Sequence, residues 1–300
     1  MNKPVPSQPR IILLAGPTAS GKSAAALRLT EETGGTIVNA DSMQVYRDLR
    51  LLTSRPPEAD EARAPHLLYG HVDGAEAYSV GRWLADVEPV VTQAREDGRI
   101  LIFVGGTGLY FEALTQGISP VPDIPEAVRQ HWRTRGAEAS TEDLHRELGR
   151  RDPEMARRLR PSDPQRVIRA LEVLEATGSS LSHWQEVASR PLIDPGQAER
   201  YVFKVERTEL RRRIGVRFQT MIEQGALDEV RAIMDRGLDP ALPVMRAIGV
   251  PLLAAHLRGE MSLQAAIDLS ITETRQYAKR QDTWMRRRFG DWPEFPITEA

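Results

Sequence analysis

Residues 11–23 read IILLAGPTASGKS: five apolar residues, a glycine-containing turn, then lysine and serine. A continuous apolar run of this length suits a strand buried on both faces, and Lys22 to Glu32 follow with Ala25, Leu27 and Leu29 at helical spacing. Strand, loop and helix in that order are the context that the pattern G-x-x-x-x-G-K-[ST] requires. Gly16, Pro17, Thr18, Ala19, Ser20, Gly21, Lys22 and Ser23 are therefore the expected phosphate cradle. Backbone N–H groups and the helix N-terminus would hold phosphate oxygens, Lys22 would add a positive charge, and Ser23 would offer an oxygen to Mg²⁺.

Working outward, Thr36 to Val38 gives a second short strand and RILIFV (99–104) a third, with the helical stretch SVGRWLADVEPVVTQAREDG (79–98) between them. Strands alternating with helices predict an α/β fold, a P-loop parallel sheet with helices on both faces. Beyond Gln116 the texture changes. GISPVPDIP breaks the pattern with prolines, and helices and loops run to about Gln197 without a convincing strand. YVFKVE (201–206) then alternates like a strand and returns the chain to the sheet. The expected organisation is a core of residues 1–116 and 198–300 interrupted by a helical insertion at 117–197.

Composition narrows the chemistry. With 300 residues, 41% hydrophobic and 27% charged, the chain can bury a large core. No apolar stretch reaches the roughly 18 residues of a membrane span, and the start, MNKPVPSQPR, lacks a secretory apolar segment. A cytoplasmic protein without membrane contact is expected. Zero cysteines exclude disulfides, thiolate catalysis and cysteine-ligated metal, and the six histidines show no ligand spacing, so any metal is expected to be a hard, oxygen-bound ion. A net charge of −2 argues against a protein that coats nucleic acid, yet of 40 basic residues only Lys3, Lys22, Lys204 and Lys279 are lysine. Arginine is the better side chain for phosphate forks and base stacking.

A phosphate loop alone does not say which phosphate binds. ATP and GTP enzymes pair it with a second strand ending in a metal-binding Asp, whereas RILIFV ends in Gly105-Gly106-Thr107. The acid is instead at the end of the other strand, in TIVNADSMQVYR (36–47). Ligands in open parallel sheets sit beyond the carboxyl ends of strands, so Asp41, Ser42, Gln44 and Thr107 are expected around the bound phosphates. Taken alone, Asp-Ser after a strand equally suits a helix cap, and GGTGLY a turn.

Together the pieces are more specific. GPTASGKS, ADSMQVYR, TSRP, AYSVGRW, GGTGLY, DPQRVIRALEV, MRAIGV and TRQYAKRQDTWMRR occur, from about Ile11 to Arg288, in the order and spacing of the tRNA dimethylallyltransferase (isopentenyltransferase) family, which this chain resembles. The resemblance implies transfer of a dimethylallyl group from dimethylallyl diphosphate to the exocyclic amine of the adenine beside a tRNA anticodon. Asp41 would be the general base. Thr107 would lie by the reaction channel, and Lys22, Arg217 and Mg²⁺ on Ser23 would offset charge on the diphosphate. The anticodon stem-loop would be met by Asp41, Ser42, Met43, Gln44, Thr107 and Arg129, by Gln165, Arg166, Val167, Ile168 and Arg169, and by Arg246, Ala247, Ile248, Gly249, Val250 and Pro251. Lys279, Arg280, Gln281, Asp282, Thr283, Trp284, Met285 and Arg286 would complete this surface.

Some contacts have independent physical reasons. Arg166 and Arg169 are three apart and share a helix face, and the basic residues of TRQYAKRQDTWMRRR interleave with Tyr277 and Trp284 as a stacking surface would; a solvated helix face is the other reading. Arg213 and Arg217, four apart, are both placed to face the phosphates. Two positions depart from the family pattern. Thr53-Ser54-Arg55-Pro56 stands where Thr-Ala-Lys-Pro is usual, and Val250 replaces a tyrosine. A kinase using the same loop is the rival reading, and a monomer is the expected state.

Overall fold

The structure, a computed structural model, describes residues 10–187 and 190–296. The first nine residues, which carry most of the segment read as lacking a signal, lie outside them. The chain divides into two compact units, residues 1–115 with 192–300, and residues 116–191. The sequence reading put the return at 198. Leu192 and Ile193 already belong to the first unit, where both their N–H groups donate to the Leu114 carbonyl, at 3.1 and 3.0 Å.

In the first unit β1 (Ile11–Ala15), α1 (Lys22–Thr33), β2 (Thr36–Asn39), α2 (Glu58–Arg63), β3 (His66–Leu67), α3 (Val80–Asp97), β4 (Leu101–Gly105) and α4 (Gly108–Gln116) precede the insertion. The insertion carries α5 (Glu126–Glu138), α6 (Thr141–Arg151), α7 (Pro153–Arg158), α8 (Pro164–Thr177) and α9 (Leu181–Glu186). After it come β5 (Ala198–Val202), α10 (Arg207–Glu223), α11 (Ala226–Asp235), α12 (Val250–Leu257) and α13 (Leu263–Arg288). All strand pairings are parallel, in the order β3-β2-β4-β1-β5. No helix among the described residues is long and apolar enough to cross a membrane.

The period of two along each strand decides which face a side chain serves. Leu13, Ala15, Val38, Leu101 and Phe103 pack with Trp83, Val87 and Val91 of α3 and with Phe111 of α4. Ile12, Leu14, Ile37, Ile102 and Val104 pack with Ala25, Ala26 and Leu27 of α1. Burial on both faces is why these strands read as uninterrupted apolar runs. A third core joins α10, α11 and α12 to the loop after β2 through Val45, Tyr46, Leu49, Phe218, Val230 and Leu253.

The last strand is shifted from its expected place. The alternating YVFKVE predicts a strand at 201–206, but β5 covers 198–202 because its register with β1, from Ile11–Ala198 to Ala15–Val202, ends where β1 gives way to Gly16. Glu206 instead accepts the Glu209 N–H at 2.9 Å and caps α10.

Candidate active site

The carboxyl ends of β1, β2 and β4 lie side by side, and the loops after them open into a cavity of about 550 Å³. Thr18 to Ser23 form one wall, with Asp41, Ser42, Met43 and Gln44 beside them. Leu52, Thr53 and Ser54, Arg217, Phe218 and Met221 of α10, residues 246–248, and Thr274, Tyr277 and Arg280 of α13 close the rest.

The phosphate loop depends on unusual backbone. Ala19 and Gly21 both have positive φ, 63° and 92°. Gly16 and Pro17 lie buried beneath the wall. A Cβ at Gly16 would come within 2.8 Å of both Phe203 Cβ and Ser20 Oγ, so only glycine lets the loop leave β1 there. Lys22 Nζ donates to the Pro17 carbonyl at 3.2 Å, folding the side chain back over its own loop. Burial pushes the Lys22 ammonium down to about 8, with Asp41 opposing the shift and Arg217 adding to it. Burial also lowers Arg217, to about 10, against the pull of Asp41. Two cations desolvated beside one carboxylate form a site short of negative charge, which an anionic ligand would supply.

Asp41 is held in place from both sides of its peptide. Its N–H donates to Asn39 Oδ1 at 2.9 Å, and Asn39 Nδ2 donates to its carbonyl at 3.0 Å. Asn39 is wholly buried, and its own carbonyl accepts from Trp83 Nε1 at 2.9 Å. One carboxylate oxygen of Asp41, Oδ1, accepts the Met43 N–H at 2.9 Å. The other, Oδ2, faces Gly106, where a Cβ would lie 3.4 Å away. Burial, and then the negative charge of Asp41, raises the Tyr277 hydroxyl well above its ordinary range and keeps it neutral. Among the described residues no group of three or more His, Cys, Asp or Glu is placed to hold a metal, so a cation here would rely on Ser23, exposed at the first turn of α1, and on ligand oxygens.

The site sets a loop of the phosphate-binding pattern beside a fixed carboxylate, with no acid at the end of β4. Residues 44–288 match the family model described as IPP transferase, and residues 9–69 the one described as isopentenyl transferase. The chain belongs to the IPP transferase family. The tRNA dimethylallyltransferase of Azorhizobium caulinodans is 54% identical over 285 residues, 95% of this chain and 91% of the relative. That of Chelativorans sp. is 53% identical over 286 residues, 95% and 98% of the two chains. A crystal structure of the full-length tRNA isopentenylpyrophosphate transferase of Bacillus halodurans matches with a TM-score of 0.65 at 32% identity, covering 93% of this chain and 87% of that one. A eukaryotic dimethylallyltransferase, seen acting on tRNA, matches with a TM-score of 0.80 at 26% identity over 95% and 73%.

The residues expected at the site differ in how they meet the cavity. Thr107 stands behind Ser42 and not on the cavity wall: its hydroxyl accepts the Ser42 N–H at 3.0 Å and lies 3.3 Å from Ser42 Oγ. Of the two arginines placed toward the phosphates only Arg217 arrives, donating to Thr18 Oγ1 at 2.6 Å; Arg213 is captured by Glu209 at 2.7 Å. Gln44 directs its amide at the Thr53 and Ser54 carbonyls, both at 2.9 Å. Arg55 turns from the cavity, approaching the Tyr46 carbonyl at 3.4 Å and covering Gly70.

On α13, Lys279, Arg280, Thr283 and Arg286 are exposed, Asp282 pairs with Arg286 at 2.6 Å, and Met285 is core. Trp284 is half-buried, packed over Gly108 and edge-on to Phe289. Gln281 is buried and bonded to the phosphate loop. Around 246–251, Arg246 and Pro251 are exposed and Ile248 half-buried, while Ala247 and Val250 are buried in the third core. Gly249 has φ 96° against Leu52 and Phe218. A tyrosine side chain at position 250 would therefore have to displace core, and valine fits. In the insertion, described by itself, Gln165 and Arg166 are exposed, Arg169 is half-buried and Arg129 donates to the Ile124 carbonyl at 3.1 Å. Val167 is wholly buried, and the half-buried Ile168 packs against Gly136. Thr274 and Tyr277 were missed as cavity residues; only their spacing with Arg280 and Gln281 on one helix hinted at them.

Proposed function

We infer that the chain transfers a dimethylallyl group from dimethylallyl diphosphate to tRNA, and that the acceptor is the exocyclic N6 amine of the adenine beside the anticodon. The observation that carries this reading is the placement of Asp41 on the wall of the phosphate cavity, with one carboxylate oxygen fixed by the Met43 N–H and the other directed at Gly106. The amine nitrogen forms a bond to the first carbon of the donor as the carbon–oxygen bond breaks, and that bond's electron pair leaves with the diphosphate. Asp41 accepts the proton released by the nitrogen. Lys22, Arg217 and the uncapped N–H groups at the start of α1 stabilise charge on the departing diphosphate.

The donor set suits Mg²⁺, since a Ser23 hydroxyl and phosphate oxygens are hard ligands and Asp41 faces the same space. Ser23 would hold the ion, which when bound supplies further positive charge to the leaving group. A base in the stack cannot reach Asp41, so the adenine must be flipped out into the cavity. A phosphoryl-transfer reading has less support, because β4 ends in Gly105-Gly106-Thr107 with no carboxylate for a nucleotide-bound metal.

The deciding experiment is a single-turnover reaction of the full chain with dimethylallyl diphosphate, Mg²⁺ and an anticodon stem-loop, followed by nucleoside mass spectrometry. Prenylated adenosine at one position is the expected product. Consumption of ATP in a parallel tube, with no modified base, would overturn the reading.

A further inference from the structure

Two polar groups of Thr18, its hydroxyl oxygen and its backbone N–H, are engaged by the protein itself. Its hydroxyl accepts from Arg217 Nη2 at 2.6 Å, and its backbone N–H donates to Gln281 Oε1 at 2.9 Å. Gln281 is only 6% exposed, and its Nε2 donates to the Gly106 carbonyl at 2.9 Å. A Cβ on Gly106 would stand 2.1 Å from that nitrogen, so the amide fills the space between the phosphate loop and the end of β4. The two arms of the loop therefore differ. At the helix side Gly21 precedes α1 and no side chain caps the first turn, leaving its N–H groups for a ligand. At the strand side the Thr18 donor is already engaged.

Loops of this pattern that hold nucleoside triphosphates cradle the inner phosphates with backbone N–H groups and extend their remaining contacts to the outermost one. A third phosphate here would need donors beyond those at the helix end, and on the adjoining arm the Thr18 N–H is already taken by Gln281. We propose that Gln281 is the specificity-determining residue that makes this loop prefer a diphosphate to a triphosphate, by occupying the Thr18 N–H and closing the strand-side arm. The inference rests on the diphosphate reading of the cavity. It also gives that cavity a physical means of rejecting the nucleoside triphosphates that other loops of this sequence pattern accept.

The test compares inorganic diphosphate with inorganic triphosphate, as inhibitors of dimethylallyl transfer by the full chain and as calorimetric ligands in the presence of Mg²⁺. The wild type should bind diphosphate the more tightly. Gln281→Met fills the same volume without the acceptor. It should shrink that preference by roughly tenfold or more, the worth of one hydrogen bond to a charged group. Gln281→Glu keeps an acceptor for the Thr18 N–H; it should weaken both anions and retain the preference. If Gln281→Met does not fold, Gln281→Asn, too short to reach Thr18, takes its place. Gln281→Met, or Gln281→Asn in its place, weakening both anions in equal proportion would make Gln281 a prop only and overturn the proposal, as would a wild type without preference. Absence of transfer by the wild type would instead sink the functional reading, and the calorimetric ratio would still decide this one.

Discussion

Arg217 reaches across 199 residues of sequence to donate from Nη2 to the hydroxyl of Thr18 at 2.6 Å. The contact ties α10 to the phosphate loop and sets a half-buried guanidinium on the cavity wall, where the proposed reaction would collect leaving-group charge. Arg217→Ala should lower kcat/KM for the prenyl donor by about 10- to 100-fold, as expected for a lost hydrogen bond to a charged group, and leave the tRNA Kd little changed. Arg217→Lys should recover only part, because a point charge cannot reproduce the fork. Steady-state kinetics with each substrate varied separately checks this.

Asp41→Asn keeps an acceptor for the Met43 N–H and removes the proposed base. Single-turnover rates should fall by about 10²- to 10⁴-fold, the usual contribution of a positioned proton acceptor. Binding of the stem-loop, measured by fluorescence anisotropy, should hold. An equal loss of binding would contradict the assignment.

The buried Lys22 predicts opposite pH trends for stability and for binding. Its ammonium sits near 8 in the fold against an ordinary 10.5, so between these values the unfolded chain carries a proton that the native chain lacks. The Lys22 contribution to stability therefore rises with pH across that window. Affinity for inorganic diphosphate should fall over the same range, by up to roughly tenfold per pH unit, as the charge is lost. Calorimetry on the wild type and on Lys22→Met measures this: the variant should lose the fall between about pH 8 and 9 and keep the part near 10 that belongs to Arg217. An identical pH dependence in both proteins would rule Lys22 out as its source.

In the insertion Arg166 pairs with Asp163 at 3.3 Å and Arg169 with Glu172 at 3.4 Å. The first pair is exposed, and such pairs contribute little and exchange readily for phosphate; in the second Glu172 is buried, but the half-buried Arg169 keeps part of its guanidinium in solvent. Arg166→Ala with Arg169→Ala should weaken tRNA binding and reduce the slope of log K against log salt by about 1 to 2. An unchanged slope would take both residues out of the interface.

What the sequence disclosed was what local pattern can encode. The apolar run 11–15 with its glycine-lysine turn, and the acid one loop beyond β2, follow from period and strand-end position alone. Gln281 was invisible in its actual role because its partners Thr18 and Gly106 lie 263 and 175 residues away. Helical spacing correctly put Arg213 and Arg217 on one face, yet could not foresee that Glu209, one turn earlier, would capture Arg213. Likewise alternation located a strand near Tyr201, but only its partner β1 fixed where it stops.

The Leu114 carbonyl accepts from Leu192 on one side and Ile193 beside it, where the core chain leaves and resumes. Everything from 116 to 191 thus begins and ends at a single peptide group. Topologically it is an embellished surface loop: the cost of closing such a loop grows only with the logarithm of its length. A short linker joining the two ends should leave the sheet and its phosphate cradle folded. Lineages could lengthen, trim or replace this excursion as a cassette without rewriting the chemistry at its base.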